Sequence, residues 1–282
     1  MQTNWNFENS YLTLPNIFYS KTRAEKFPNL KVLLKNKNLI DNLDLKNDDF
    51  DKIVLESINN GEINSFSQAY AGHQFGHFTI LGDGRATLLG EHINNNNERF
   101  DIQLKGSGKT PYSRNGDGKG TLKSMLREYI VSEAMHNLNI KTTRSLAILN
   151  TGEKIQRETY EEGGILVRVA KSHIRIGTFE YFACRKDVKN LQKLADYTIN
   201  RHFPKYNEIL QTLRSVNINS EIYIGDGNLK SQMKYADKRN APAVIFCGDD
   251  EVKSRKITLK NLKTGDEISL ELKNLTNEIG EF

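Results

Sequence analysis

Three short segments that are typical of β-strands, in the first half of this chain, constrain its fold more than any other feature. They are Phe78–Leu81, Ala86–His92 and Arg99–Lys105, and they predict three successive antiparallel strands. The first connection contains Asp83-Gly84, which favours a tight hairpin turn, and the second is a polar, asparagine-rich loop. The chain is therefore expected to build an antiparallel sheet around these residues.

Lys105, at the end of the third run, is expected to leave the sheet on the side opposite its apolar face. The apolar residues occupy every second position from Phe100 to Leu104, and successive side chains of a strand point to opposite faces. An isolated lysine is usually a solvated surface residue, but a helix carrying carboxylates follows this one. That arrangement is typical of a phosphate-binding lysine held by an ion pair.

The helix is predicted over Thr121–Leu138, where apolar residues recur at three- and four-residue steps. Thr121 is a suitable N-cap. Glu128 and Glu133 are the two candidates for the partner of Lys105. Because Glu133 lies on the apolar side of the helix, where a carboxylate usually has a partner, helical geometry alone favours Glu133 over Glu128.

Glycine-rich segments lie on both sides of Lys105, at Leu81–Arg85, Leu104–Gly108 and Gly116–Gly120. Glycine is needed where the backbone approaches a phosphate closely or adopts positive φ. Backbone N–H groups of these segments could therefore lie against a polyphosphate. Taken alone, Asp83-Gly84 and Asp117-Gly118 are equally well explained as simple turns.

Arg168 and Arg175 lie seven residues apart, on a predicted strand and the loop that follows it. Each offers a planar fork of N–H donors suited to phosphate oxygens. In isolation they could be ordinary surface arginines. Combined with Lys105 and the glycine-rich segments, they predict a binding site for a nucleoside triphosphate.

The remaining periodic segments predict further elements and a change of organisation near Tyr206. Beyond that residue, helices and strands of similar length alternate, which indicates a small α/β module. The other predicted helices are Ala24–Leu34, Asp49–Ile58, Asp187–His202, Glu208–Ser215 and Leu229–Arg239, and the other predicted strands are Arg144–Asn150, Gly164–Ala170, Glu221–Ile224, Ala243–Cys247 and Lys256–Leu259.

Charge and composition narrow the class of protein. The net charge is +5, and because residues 207–282 contain eleven Lys/Arg and twelve Asp/Glu, the rest of the chain carries +6. This mild basic excess suits a phosphate-bearing ligand but is too small to argue for nucleic acid. Cys184 and Cys247 stand in no paired motif, and no signal peptide or membrane-spanning apolar run is seen. A cytoplasmic protein is expected.

Several segments between about Trp5 and Tyr206 closely resemble the family of kinase-like protein nucleotidyltransferases called selenoprotein O, or SelO. They are long and follow the family's order: Phe7–Tyr11, Tyr70–Gly76, Leu81–Arg85, Lys105–Gly108, Thr110–Arg114, Ser132–His136, Val167–Ala170 and His173–Arg175.

The resemblance implies a protein-kinase-like lobe that binds ATP in a reversed orientation. It also implies transfer of AMP to Ser, Thr or Tyr hydroxyls of proteins, with Mg or Mn. Glu128 rather than Glu133 is the implied ion-pair partner of Lys105. Carried over by motif, the residues expected to contact ATP are Gly82, Gly84, Arg85, Lys105, Asp117, Gly118, Arg168 and Arg175.

The family's catalytic aspartate and its metal-binding asparagine and aspartate lie in a second lobe, downstream of the segment that matches His202. No residues of this chain match that lobe. Catalytic and metal-ligating residues are therefore not assigned, and the transfer activity of this polypeptide is expected to be impaired.

Residues after about 206 instead resemble the C-terminal anticodon-binding domain of histidyl-tRNA synthetases. The matching residues are Ile222–Asp226, Gln232–Arg239, Val252 and Thr258–Lys260, and the domain's opening strand has no counterpart. The expected fold class is α+β, with a kinase-like lobe of antiparallel sheet and helices over 1–206. A small, incomplete α/β module over 207–282 follows, and transfer RNA is the partner that it implies.

Two other interpretations stay open. The chain could be a non-catalytic RNA-binding or regulatory protein that uses residues 207–282, although the slightly acidic balance of that segment argues against strong RNA affinity. The junction near residue 206 could instead join two pieces with no common function. Gly225–Asn228 and Asp249–Glu251 are interpreted as a turn and a solvated loop rather than as metal sites.

Overall fold

The structure, a computed structural model, describes residues 5–46, 49–59, 64–74, 76–223, 225, 227–248, 251, 254 and 256–279. The chain forms two compact units, Met1–Leu191 and Gln192–Phe282. The domain boundary that the sequence predicts at about residue 206 stays a prediction. Within the described residues, no helix is both long and apolar enough to cross a membrane.

The strands of the first unit are β1 (Phe7–Glu8), β2 (Tyr19–Lys21), β3 (Lys31–Lys35), β4 (Phe66–Gln68), β5 (Ala71–Gln74), β6 (His77–Ile80), β7 (Ala86–Ile93), β8 (Arg99–Lys105), β9 (Arg144–Gln156) and β10 (Tyr160–Ala170). Its helices are α1 (Lys37–Asn42), α2 (Phe50–Asn59), α3 (Leu122–Asn137) and α4 (Ile176–Ala183), with short 3-10 turns at Ser10–Thr13 and Asn16–Phe18. The helix α5 (Val188–His202) begins in the first unit and ends in the second.

An antiparallel sheet forms the centre of the first unit. Its strand order is β2-β4-β7-β8-β10-β9-β3, and β1 also pairs with β7. The central strand β8 brings Lys105 opposite Ala86 of β7 and Leu166 of β10. The strands predicted over 86–92, 99–105, 144–150 and 164–170 are confirmed, and the last two are parts of the longer hairpin β9–β10.

The prediction that Asp83-Gly84 turns a hairpin between the first two runs is wrong. β6 pairs with β5 in a separate two-stranded sheet, not with β7. The N–H of Asp83 donates to the carbonyl of Gln68 at 2.9 Å, and the Asp83 carboxylate accepts from the Gln68 N–H at 3.1 Å. The segment that follows β6 therefore runs beside the end of β4 instead of closing a two-residue turn.

The helix predicted over Ala24–Leu34 is also wrong. Lys31–Lys35 forms β3, which pairs with β9, and no helix covers residues 24–30. Pro28 explains this outcome, because proline inside a helix lacks the N–H donor and clashes with the preceding turn. The helix predicted over Asp49–Ile58 is confirmed as α2.

The two faces of the sheet carry different partners. Ile102 and Leu104 of β8 are fully buried in a core that includes residues of α1 and α2. On the other face α3 packs through Met125 against Ile148 and Leu166. The side chain of Lys105, which alternates with Leu104, therefore faces α3, as the sequence pattern predicts.

Helix α3 begins where the sequence predicts, but its buried face is narrower than predicted. The Thr121 hydroxyl accepts from the Ser124 N–H at 3.3 Å, which confirms the N-cap. Met125 is buried, whereas Ile130 and Leu138 of the same apolar stripe are 65% and 71% exposed. Only part of that stripe therefore contributes to the core.

The second unit contains the helices α6 (Pro204–Ser215), α7 (Leu229–Lys238) and α8 (Leu275–Glu278), with a 3-10 turn at Leu272–Asn274. Its strands β11 (Ala243–Phe246), β12 (Lys256–Asn261) and β13 (Glu267–Glu271) form an antiparallel sheet in that order. Its core consists of Ile209, Leu213, Ile257, Leu259, Leu270 and Leu275.

Most of the elements predicted after Asp187 are confirmed. They are the helices over 187–202, 208–215 and 229–239 and the strands over 243–247 and 256–259. The strand predicted over Glu221–Ile224 is not formed by residues 221–223, and Ile224 lies outside the described residues. Asp226, Asp249 and Asp250 of the two acidic loops also lie outside them, and β13 was not predicted.

Candidate functional site

The ammonium of Lys105 forms an ion pair with the carboxylate of Glu128. Lys105 is the last residue of strand β8, and Glu128 lies on helix α3, which packs on that face of the sheet. The two side chains are only 15% and 25% exposed. The pair is thus sheltered from water, and an anion that enters the site would meet a fixed cation.

Glu133, the partner favoured by helical geometry, lies in a different network. Its carboxylate binds the guanidinium of Arg144 at 2.7 Å and accepts from the Ser145 N–H at 2.9 Å. The Asn36 amide donates to it at 2.8 Å. Glu133 therefore fastens α3 to the start of β9, whereas Glu128 holds Lys105.

Arg168 is the second cation on Glu128. Strand β10 lies next to β8, and Arg168 pairs across the strands with Gln103. Its Nε donates to the Glu128 carboxylate at 2.5 Å, and its Nη1 donates to Gln103 Oε1 at 3.2 Å. One carboxylate thus orients two cations that project from neighbouring strands.

The pKa values of Lys105 and Glu128 reflect the presence of two cations around one carboxylate. Burial lowers the pKa of the Lys105 ammonium below its usual range, and the nearby Arg168 acts in the same direction, although Glu128 opposes them. For Glu128, burial would raise the pKa of the carboxyl, but Arg168 and Lys105 outweigh it and keep that pKa below its usual range. A negatively charged ligand would relieve the excess positive charge around Lys105.

Arg175 is the N-cap residue of α4 and is anchored on three sides. Its Nε donates to the His173 carbonyl at 3.1 Å, and its Nη2 lies 3.5 Å from the Asp83 carboxylate. The guanidinium also lies over the ring of Tyr70, 4.1 Å from the centroid. Burial raises the pKa of Tyr70 above its usual range, although Arg175 opposes this.

Gly82 and Gly84 lie in a loop that is pinned by residues 110–113. Gly82 has φ +146°, and a Cβ at this position would collide with the ring of Tyr112. The Ser113 hydroxyl donates to the Gly84 carbonyl at 2.5 Å, and the Thr110 hydroxyl donates to the Asp83 carbonyl at 2.7 Å. Glycine is thus required at position 82 both by its backbone conformation and by the approach of Tyr112.

Arg85 lines a cavity together with Lys105 and Glu128. The cavity has a volume of about 450 Å³, and its other lining residues are Ser124, Arg127, Val131, Ser132, Met135, Thr142 and Thr143. Arg85 is exposed, and its charge contributes to lowering the pKa of Lys105. The described wall of this cavity therefore combines cations and hydroxyl groups, which suits an anionic ligand.

Asp117 and Gly118 lie in the loop after β8 and have other partners. The Asp117 carboxylate binds the Arg157 guanidinium at 2.8 Å, and this contact lowers the pKa of its carboxyl. Gly118 has φ +69° and packs against the backbone of Gly108, whose N–H donates to its carbonyl at 3.2 Å. Within the described residues, no hydrogen bond or ion pair joins Asp117 to the Lys105 network.

Sequence reasoning missed the residues that connect the cations. The sequence predicts a turn at Asp83 and assigns no role to Gln103. In the structure, Gln103 Nε2 donates to the Asp83 carboxylate at 3.3 Å, so both residues lie between Arg168 and Arg175. The alternation in β8, which puts Gln103 on the same face as Lys105, is the signal that could have found it.

The Mg or Mn implied by the resemblance has no ligand set in the part of the chain that the structure describes. Within those ranges, no group of three or more His, Cys, Asp or Glu side chains is arranged to hold a metal ion. The two site carboxylates, Glu128 and Asp83, already bind arginine or lysine. The described residues therefore do not fit a metal site.

Comparison with known proteins identifies the family. Residues 1–223 match the family model described as protein adenylyltransferase SelO. The chain therefore belongs to the SelO family, whose description is that of a protein nucleotidyltransferase. Residues 192–282 also match the model of an anticodon binding domain, which overlaps the first match over 192–223.

Two bacterial relatives, both named protein nucleotidyltransferase YdiU, show the extent of the similarity. The protein from Clostridium perfringens is 55% identical over 208 residues, which cover 72% of this chain and 42% of that protein. The protein from Pelagibacter ubique is 51% identical over 209 residues, which cover 72% of this chain and 43% of that protein. The chain thus spans about two fifths of the length of these relatives.

A solved structure of histidyl-tRNA synthetase from Nostoc sp. PCC 7120 is similar to part of the chain. The match has 20% sequence identity and a TM-score of 0.27 and covers 43% of this chain and 30% of that one. A TM-score this low supports no inference about the fold.

Proposed function

We propose that this chain supplies the ATP-binding, kinase-like lobe of a SelO-type protein adenylyltransferase. The reaction it serves transfers AMP from ATP to Ser, Thr or Tyr hydroxyls of protein substrates. One observation supports the proposal above all others: the carboxylate of Glu128 orients both Lys105 and Arg168, and Lys105 and Glu128 line an open cavity.

The charge of the site favours a polyphosphate. The cations Lys105, Arg168, Arg175 and Arg85 outnumber the carboxylates Glu128 and Asp83. Paired cations that keep free donors bind phosphate oxygens through charge-assisted hydrogen bonds. Because Lys105, Arg168 and Arg175 are held before the ligand arrives, little further ordering of these three side chains is needed when the triphosphate binds.

The glycine loop supports the same ligand. The loop of Gly82 and Gly84 continues into Arg85 at the edge of the cavity. Residues 110–113 hold the loop in place by the hydrogen bonds to Asp83 and Gly84. In this arrangement the backbone of the loop can approach phosphate groups that lie against Lys105.

The proposal assigns nucleotide binding, and not the transfer step, to the described residues. Mg or Mn would accompany ATP in this family, but the described side chains offer no ligand set for it. They also present no aspartate that is free to activate an acceptor hydroxyl near Lys105, since Asp83 is buried and bound to Arg175. Transfer by this polypeptide alone is therefore proposed to be weak.

A titration of the full chain with ATP tests the proposal. Lys105→Ala is expected to weaken ATP binding by on the order of tenfold or more, because a buried charge-assisted contact is lost. Lys109→Ala, which removes an exposed lysine four residues away, is the matched control and should bind like the unmodified chain. Equal affinities for the two variants would overturn the proposal.

Incubation with radiolabelled ATP tests the weak-transfer part separately. Little label should appear on the chain itself or on added protein. Strong self-labelling that disappears in Lys105→Ala would show that this polypeptide transfers AMP efficiently, and it would refute that part of the proposal while supporting ATP binding.

A second proposal, RNA binding by the second unit, is favoured by the match of residues 192–282 to the anticodon-binding model. The charge of that region does not favour it strongly, and Arg239 is already paired with Glu221 at 2.8 Å. Binding of transfer RNA by the full chain, weakening steeply as salt increases, would support it. Binding that is absent at low salt would exclude it.

A further inference from the structure

We propose that Asp83 is a positioning residue that sets the spacing and direction of Arg168 and Arg175 for phosphate binding. The inference rests on the proposed function, since it concerns how the same site binds the phosphate groups of its ligand. Asp83 is only 4% exposed, and each of its carboxylate oxygens has a different neighbour.

The first oxygen of Asp83 orients Arg175 directly. Oδ1 lies 3.5 Å from Nη2 of Arg175, while the Arg175 Nε donates to the His173 carbonyl and its guanidinium lies over Tyr70. Three contacts from different directions fix the plane of the guanidinium. The Arg175 side chain nevertheless stays 34% exposed, so a ligand can reach it.

The second oxygen of Asp83 acts on Arg168 through an amide. Oδ2 accepts from Gln103 Nε2 at 3.3 Å, and Gln103 is fully buried. Because an ionised carboxylate only accepts hydrogen bonds, it keeps the NH₂ end of Gln103 on its own side. The Oε1 end is thereby turned to Arg168 Nη1 at 3.2 Å, which completes a chain from Arg175 to Arg168.

Simple electrostatics and positioning predict opposite effects of removing the Asp83 charge. Asp83→Asn makes the site more positive by one charge, so electrostatics alone predicts tighter binding of an anion. Positioning predicts weaker binding, because an asparagine amide can donate as well as accept and no longer determines the orientation of Gln103 or holds Arg175. The direction of the change therefore distinguishes the two explanations.

The experiment compares ATP and inorganic tripolyphosphate as ligands of the full chain by calorimetry. Asp83→Asn is expected to weaken both by a similar factor, on the order of tenfold, because both ligands present the phosphates that the arginines bind. Unchanged or tighter binding of ATP would overturn the proposal. A loss confined to ATP would also overturn it, since that result points to the nucleoside end of the ligand.

A double-mutant cycle shows whether Asp83 acts through Arg175 and Arg168. Arg175→Gln should weaken binding, and adding Asp83→Asn should cost less than it does in the unmodified chain, because coupled residues are not additive. Gln103→Met removes the amide and leaves Asp83 and Arg175 in place. It should weaken tripolyphosphate binding through Arg168 and serves as the test if Asp83→Asn does not fold.

Glu133→Gln is the matched control, because it removes a shielded carboxylate whose partners Arg144, Ser145 and Asn36 lie outside the site. It should lower stability but leave the affinity for both ligands unchanged. If Lys105→Ala weakens ATP binding and Asp83→Asn does not, positioning fails while the proposed function stands. If the unmodified chain binds neither ligand, both proposals fail.

Discussion

Arg168 and Lys105 bind the same carboxylate, that of Glu128, from adjacent strands of one sheet. Glu128 therefore neutralises only part of the positive charge that it organises. Because both cations are sheltered and close together, the pKa of the lysine is lowered although it has an anionic partner. The site is thus arranged to accept further negative charge.

Glu128→Gln should destabilise the first unit by about 2 kcal/mol, because it leaves Lys105 and Arg168 facing each other without their common partner. Urea unfolding measures this free-energy change. Glu158→Gln, at an exposed position of the β9–β10 turn, is the control and should change the free energy of unfolding by less than about 0.5 kcal/mol. Similar small effects for both variants would show that Glu128 contributes little to the free energy of unfolding.

Glu133 should make stability depend on pH in the acid range. Burial would raise the pKa of its carboxyl, but Arg144, the Ser145 N–H and Asn36 together hold that pKa below its usual range. A depressed pKa in the folded state contributes stability that is present above the unfolded value and is lost as pH falls through the folded value. Glu133→Gln should therefore lose less stability than the unmodified chain as the pH falls below the unfolded-state value of a glutamate, about 4.3.

Thermal unfolding between neutral pH and pH 3 measures this dependence. Glu158→Gln again serves as the control, since it should follow the unmodified chain at every pH. Parallel curves for Glu133→Gln and the unmodified chain would contradict the linkage between the Glu133–Arg144 pair and acid stability.

Local alternation was enough to place Lys105. The face of β8 that it occupies follows from the period of the strand, because Leu104 and Ile102 must enter the core. The choice between Glu128 and Glu133 could not be made from the helix alone. Both carboxylates have partners, and the partner of Glu133 is Arg144, eleven residues away on a strand whose position a helical projection does not contain.

Long-range contacts explain the errors. Asp83-Gly84 favours a hairpin locally, but the hydrogen bonds of Asp83 to Gln68, fifteen residues earlier, decide its conformation. The contact of Gln103 with Arg168 joins residues 65 positions apart. Such contacts depend on the strand order of the sheet, in which β8 lies beside β10, and no periodicity within a single element predicts that order.

Gly82→Ala should destabilise the first unit by about 2 kcal/mol and weaken ATP binding. The added Cβ meets the Tyr112 ring, and the backbone at φ +146° is unfavourable for alanine. Gly265→Ala is the control, because Gly265 also has positive φ (+85°) but has nothing within 4 Å of the added Cβ. It should show only the backbone cost, about 1 kcal/mol, with no change in ATP affinity.

Urea unfolding and calorimetric titration with ATP measure the two effects. An equal loss of stability in Gly82→Ala and Gly265→Ala would show that Tyr112 yields to the new methyl group. Unchanged ATP affinity in Gly82→Ala would show that the loop does not contact the nucleotide.

A pair of core substitutions should show which unit binds the nucleotide. Leu104→Ala and Leu259→Ala each remove a fully buried leucine, one beneath Lys105 on β8 and one in the core of the second unit. Each should cost about 3 kcal/mol of stability. Leu104→Ala should also weaken ATP binding, because the strand that carries Lys105 shifts into the space left by the leucine side chain. Leu259→Ala should leave ATP affinity unchanged. Weaker ATP binding in Leu259→Ala would show that residues 192–282 take part in the site, contrary to its assignment to β8, β10 and α3.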